Sequence, residues 1–145
     1  MNKIRDSDSS IIKALRGKGY KATPQRIAIG RFVLHNQSHP TAQKIYSEVK
    51  KVYPTVSLAT IYKTIQILKE VSLIQELNLP NDQARFDSNM EPHAHLVCLK
   101  CKSINDCADP EVSEIANRIS NDADFSAAGW NFDVFGICGS CKRKR

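Results

Sequence analysis

Ser57-Leu58-Ala59-Thr60-Ile61-Tyr62-Lys63-Thr64-Ile65-Gln66-Ile67-Leu68 carries the strongest structural signal in this 145-residue chain, and Leu73-Ile74-Gln75-Glu76-Leu77-Asn78-Leu79 follows closely. Leu58, Ile61, Ile65 and Leu68 recur at spacings of 3, 4 and 3, one side of an α-helix, and Ser57 stands where an N-cap is needed. At about 100° per residue, Ala59, Thr60, Lys63 and Gln66 fall on the opposite side, with Tyr62 at its margin. That side holds one charge and small hydrogen-bonding groups. It suits a major groove better than the mixed Glu and Lys face of an ordinary solvated helix. After it, the alternation from Leu73, the turn residues Pro80-Asn81-Asp82 and the extended Ala84-Arg85-Phe86-Asp87 predict a hairpin.

Upstream, three more short helices are expected. Ile11, Ile12 and Leu15 mark the first, which stops at Gly17 and Gly19. Thr23-Pro24 opens the second as N-cap and first helical residue, with Ile27, Ile29, Val33 and Leu34 as its apolar side. Thr41 opens the third, which runs through Ile45, Val49 and Val52 to Tyr53-Pro54. Helices followed by a hairpin read as a winged helix-turn-helix over residues 1–88. Charge agrees with that reading. Residues 1–80 hold 13 Lys and Arg against 5 Asp and Glu, a net +8, whereas residues 81–145 hold 8 against 10, a net −2. The overall +6 therefore belongs to the first half, as expected of a module that meets phosphate. The Lys142-Arg143-Lys144-Arg145 run reads as a solvated tail.

Composition excludes several classes. Mean hydropathy is −0.37, and no stretch of about 18 apolar residues is present, so no membrane partner is expected. The N-terminal MNKIRDSDSSIIKALRGKGY is charged throughout and does not resemble an export signal, which predicts a cytoplasmic protein. The length is too small for a large enzyme barrel.

The second half, residues 89–145, is organised around cysteine and histidine. Cys98-x2-Cys101 and Cys138-x2-Cys141 are two knuckle pairs separated by 36 residues, and four thiolates match the tetrahedral demand of Zn²⁺. The alternatives are two redox pairs or two disulfides. Cys107 is the odd cysteine and is expected as a buried or half-buried free thiol. Between the knuckles, Asp109-Pro110-Glu111 starts an amphipathic helix with Val112, Ile115, Ala116 and Ile119 on one side. Ala94–Cys98, Lys102–Asp106 and Asn131–Ile137 read as strands. A small α/β unit of this size is marginal alone, so structural zinc and homodimerisation are the expected supports.

His93-Ala94-His95 places two imidazoles on one face of a strand. His39, Asp87 and Asp106 are further donors. If all five meet, three nitrogen and two oxygen ligands suit Fe²⁺ or Mn²⁺, with Zn²⁺ as competitor. Independent surface histidines and aspartates are the alternative.

Taken together, the motifs resemble the ferric uptake regulator superfamily of bacterial metal-dependent repressors. The strings that carry the likeness are Ala22-Thr23-Pro24-Gln25-Arg26, His39-Pro40-Thr41-Ala42, Val56-Ser57-Leu58-Ala59-Thr60-Ile61-Tyr62-Lys63, Arg85-Phe86-Asp87, His93-x-His95-x2-Cys98-x2-Cys101 and Gly136-Ile137-Cys138-x2-Cys141. The likeness covers about residues 10 to 141. The resemblance implies an α+β fold: an N-terminal winged helix-turn-helix, then a small α/β dimerisation domain with structural zinc on Cys98, Cys101, Cys138 and Cys141. It implies a regulatory Fe²⁺ or Mn²⁺ on His39, Asp87, His93, His95 and Asp106. DNA contacts map to Lys21, Gln25, Arg26, Ser57, Ala59, Thr60, Tyr62 and Lys63, with double-stranded operator DNA and a second copy of the chain as partners. Lys63 stands where relatives often carry Arg, which removes bidentate guanine readout there. Asp106, where iron-uptake regulators more often have Glu, looks like the peroxide-responsive branch, which implies oxidation-sensitive His39 and His93. An iron, manganese or zinc homeostasis repressor is the alternative within the superfamily. Trp130 and Pro92 replace a histidine and a His-rich run seen in many relatives, so a complete third metal site is not expected. Neither enzymatic turnover nor a small organic substrate is implied.

Overall fold

The computed structural model describes residues 8–144. Met1–Ser7 of the N-terminal stretch and Arg145 of the basic tail lie outside the described residues. The chain forms two compact units, Met1–Met90 and Glu91–Arg145.

The first unit contains α1 (Asp8–Gly17), α2 (Pro24–His35), α3 (Ala42–Val52) and α4 (Leu58–Glu70), then β1 (Gln75–Leu77) and β2 (Arg85–Asp87). Three of the helices start where an oxygen-bearing side chain covers an orphan amide. Thr23 accepts from the Arg26 N–H, Thr41 from Lys44 and Ser57 from Thr60. Their apolar sides meet in one core of Ile11, Leu15, Ile29, Val33, Ile45, Ile61, Ile65 and Leu68, joined by Phe86 from the wing. Gly30 lets α1 close on α2, because a Cβ there would lie 3.3 Å from Ile11 side-chain carbons. Val52 departs from the expected pattern: it is 73% exposed, one residue before Tyr53 ends the helix.

The hairpin is antiparallel, with Gln75 opposite Asp87 and Leu77 opposite Arg85. It is shorter than the alternation predicts. Leu73 and Ile74 are buried in the helical core instead of pairing in the sheet. Helix, turn, helix and a two-stranded wing make this unit a winged helix-turn-helix.

In the second unit, β3 (Ala94–Cys98), β4 (Ile104–Cys107), α5 (Pro110–Asp122) and β5 (Asp133–Gly136) precede α6 (Gly139–Arg143). The sheet order is β4-β3-β5, with β4 antiparallel and β5 parallel to β3. Asp109 caps α5 by accepting from the Glu111 N–H. No residue of α5 is buried, and Leu96, Ile119, Phe132, Val134, Phe135 and Ile137 are exposed. One expectation is corrected. Cys107 is exposed, because β4 is an edge strand on which only Ile104 is buried. Lys142 and Arg143 are exposed and form the end of α6.

Ile61→Ala is expected to destabilise the first unit by about 2–5 kcal/mol in urea unfolding, since Ile61 is wholly buried. Tyr62→Ala, one residue on and half-exposed, should stay within about 0.5 kcal/mol of the parent.

Candidate metal centres

Cys98 ends β3, and the chain reverses at Lys102 with φ +63°, its N–H donating to the Cys98 carbonyl. This turn carries Cys101. Cys138 caps α6 and Cys141 lies inside it. The four Sγ atoms lie within 4.8 Å of one another, and those of Cys101 and Cys138 are 3.8 Å apart. A disulfide requires about 2.05 Å, whereas a tetrahedron of sulfurs at 2.3 Å from a central Zn²⁺ has an edge of about 3.8 Å. The donor set therefore fits zinc in type, number and spacing.

The electrostatics of the cluster favour a cation among the sulfurs. The Cys98 thiol is pulled down to about 6, because the Cys101 and Cys138 N–H groups donate to its sulfur at 3.5 and 3.4 Å. Cys101 is lowered chiefly by Ser103, whose Oγ lies 3.1 Å from its sulfur. Cys141 is pushed up to about 12, first by the neighbouring Cys138 sulfur and then by burial. Four thiolates so close together repel one another, and a divalent cation removes that conflict.

A second cluster in the same unit is set by strand register. His95 pairs with Asp106 on β4 and with Asp133 on β5. Asp106 Oδ1 lies 3.5 Å from His93 Nε2 and 3.6 Å from His95 Nε2. His93 Nδ1 is 2.6 Å from the Glu91 carbonyl, and His95 Nδ1 is 2.9 Å from Asp133 Oδ1. Both partners accept, so Nδ1 of each ring carries a hydrogen and the two Nε2 atoms face each other. The two Nε2 atoms are 2.8 Å apart and both rings are buried. Two ring nitrogens this close share a hydrogen or a cation. Ligands at about 2.1 Å from one ion would stand about 3.0–3.6 Å apart, the distance at which Asp106 Oδ1 stands from both Nε2 atoms, so imidazole and carboxylate suit a transition-metal ion in donor type.

The first unit holds another pair. His39 has φ +54° and is buried, with Nε2 3.6 Å from Asp87 Oδ1. Arg85 anchors its loop: the guanidinium donates to the carbonyls of His39 and of Ser38, the latter at 2.7 Å. The Phe86 N–H donates to Pro40. Asp87 is held in turn by the Asn89 N–H at 2.9 Å on Oδ1 and the Gln75 side-chain amide at 3.2 Å on Oδ2. Each unit thus brings its own histidine and aspartate together.

Among the expected DNA-contacting residues, Ala59, Tyr62 and Lys63 are exposed along one side of α4, with Gln66. Tyr62 is exposed with them, while Thr60 is half-buried with its hydroxyl 2.9 Å from Ser57. Lys21, exposed ahead of α2, accepts through its carbonyl from the Arg26 guanidinium at 2.8 Å, and Gln25 is half-buried beside it. Trp130 lines an apolar cavity with Phe125, Phe132, Ile115 and Ile119.

Sequence reasoning did not find Glu91, Gln75, Arg85 or Asp133 as supports. Period-two alternation gives no strand order, and only the register pairs Asp133 with His95.

The description "Ferric uptake regulator family" matches residues 17–135. The peroxide-responsive repressor PerR of Staphylococcus epidermidis is 35% identical over 133 residues, 92% of this chain and 89% of that protein. The Campylobacter jejuni peroxide stress regulator superposes with a TM-score of 0.74 at 29% identity, covering 97% of this chain and 100% of that one. The Helicobacter pylori ferric uptake regulator, described as having three functional metal binding sites, gives a TM-score of 0.81 at 22% identity, covering 95% of each chain, a likeness of fold.

Cys98→Ser is expected to lose bound zinc and to unfold or monomerise, read by metal analysis and size-exclusion chromatography; a stable zinc-free dimer would contradict the assignment.

Proposed function

The chain belongs to the ferric uptake regulator family of metal-responsive regulators, and on that premise we propose that it is a homodimeric, zinc-containing transcriptional repressor that senses hydrogen peroxide. In this reading residues 1–88 bind operator DNA and residues 89–145 dimerise and hold metal. The observation that carries it is the buried His93 and His95 pair, whose Nε2 atoms face each other beside the carboxylate of Asp106.

Zinc on Cys98, Cys101, Cys138 and Cys141 would be structural. His39, Asp87, His93, His95 and Asp106 would together hold one Fe²⁺ or Mn²⁺. Support comes from donor chemistry: each unit presents a buried imidazole facing a carboxylate, and neither set alone fills a coordination shell. An ion shared by ligands from both units would shift the population toward the form that binds operator DNA. The exposed apolar side chains of the second unit support a second copy as partner. Action on operator DNA implies a cytoplasmic protein, and among the described residues no helix is long and apolar enough to cross a membrane.

Fe²⁺ held by these residues would supply the activation of hydrogen peroxide. His39 and His93 are the rings proposed to gain one peroxide oxygen on a ring carbon, the other oxygen leaving as water. An oxidised ring would be a poor donor, so metal would be lost and repression would end. The protein is consumed in sensing, which makes it a regulator and not an enzyme. Recognition would use Lys21, Gln25, Arg26, Ser57, Ala59, Thr60, Tyr62 and Lys63. The same donors accept Zn²⁺ or Mn²⁺, which favours a metal-homeostasis repressor as the second reading.

Treating the Fe²⁺-loaded protein with hydrogen peroxide should add oxygen to His39 and His93 in peptide mass spectrometry and release operator DNA. Unmodified histidines with DNA still bound would exclude peroxide sensing and leave metal titration of operator binding to choose the homeostatic ion. Lys63→Ala should weaken binding and lower the slope of log K against log salt by about 1.

A further inference from the structure

We infer that Asp133 is a positioning residue for the second metal centre: it fixes the tautomer and orientation of His95 and raises the donor strength of its Nε2. The inference rests on the metal reading of His93, His95 and Asp106.

The geometry distinguishes the two histidines. His93 gives its Nδ1 hydrogen to a neutral acceptor, the Glu91 carbonyl, whereas His95 gives its own to a carboxylate, Asp133 Oδ1 at 2.9 Å. A carboxylate draws the Nδ1 hydrogen more strongly and pushes electron density toward Nε2, the pattern that second-sphere carboxylates impose on metal-bound imidazole. The contact follows from the backbone: Asp133 and His95 are partners in the parallel register of β5 and β3. Its burial is asymmetric as well. The His95 side chain is 2% exposed, while that of Asp133 is 26% exposed. The far side of the carboxylate therefore faces water, while the ring it supports is out of water's reach. Asp106, the other aspartate beside His95, faces Nε2 and cannot fulfil this task. Across three adjacent strands the order is thus ligand, ligand and support: Asp106, His95, Asp133.

The test uses the full-length, zinc-loaded protein with Mn²⁺ alone as probe, together with ¹⁵N NMR of the histidine rings before Mn²⁺ is added. Asp133→Ala and Asp133→Asn are expected to weaken Mn²⁺ binding by about 10- to 100-fold while zinc content and thermal unfolding stay at parent values. The hydrogen-bonded Nδ1–H signal of His95 should shift in Asp133→Asn and vanish in Asp133→Ala, with that of His93 unchanged. Asp133→Glu, which keeps the charge, should recover part of the affinity. If Asp133→Ala loses zinc, the isosteric Asp133→Asn decides. Parent affinity and an unmoved His95 signal in Asp133→Asn would overturn the inference, as would an Asp133→Glu protein no tighter than Asp133→Asn. His95→Ala separates the two levels. If it abolishes Mn²⁺ binding while the Asp133 variants bind normally, the positioning role alone fails; if it leaves binding intact, the metal reading fails and the inference with it.

Discussion

Strand β3 is paired on both sides, and the C-terminal unit depends on that double pairing. Five residues, Ala94–Cys98, carry the His95 donor near one end and the Cys98 sulfur at the other. The antiparallel neighbour sets Asp106 beside His95, and the parallel neighbour sets Gly136, two residues before Cys138, beside Cys98. A slip of one residue in β4 would turn Asp106 away from His95, and a slip in β5 would displace both Asp133 and the approach to Cys138. A unit with so few buried apolar residues has little else to prevent that slip, which explains why four sulfurs converge at the end of the sheet.

The two units solve the same problem differently. In the first, conventional burial suffices: eight wholly buried apolar side chains from all four helices interlock, and the N-caps Thr23, Thr41 and Ser57 start three of the helices. Polar groups can then be spent on the surface, where Ala59, Tyr62, Lys63 and Gln66 remain exposed on α4. In the second, polar groups are themselves the interior. His93, His95, Cys98 and Cys141 are among its buried residues, and each needs hydrogen bonds or a cation to be tolerated there. This division matches the charge asymmetry, +8 before residue 80 and −2 after it.

What could be read from the residues follows the same division. Helix starts were legible because capping chemistry is local: a hydroxyl and the amide three residues on lie in one string. The cysteine spacing was legible for a similar reason, since each knuckle is a short-range unit. The hairpin was overextended because Leu73 and Ile74 alternate like strand residues while their burial serves the helices. Cys107 was misplaced because nothing in one sequence tells which strand of a sheet is an edge. The supports of the histidine clusters were invisible for a geometric reason. Gln75 and Asp87 are 12 residues apart, and His95 and Asp133 are 38 apart, so each contact exists only once a register is chosen.

The three residues of β2 divide a set of tasks by parity. Arg85 clamps the carbonyls ahead of Pro40, Phe86 plugs the core, and Asp87 faces His39. Residues 78–84, by contrast, join β1 to β2 without ladder pairing. An added residue within β2 would exchange the roles of all three side chains, whereas added length between Leu79 and Gln83 changes only the closure entropy of a surface loop, by about 0.6 kcal/mol per doubling. The wing is therefore a place of two tolerances, a tip open to grafted peptides or labels and a stem that accepts no insertion.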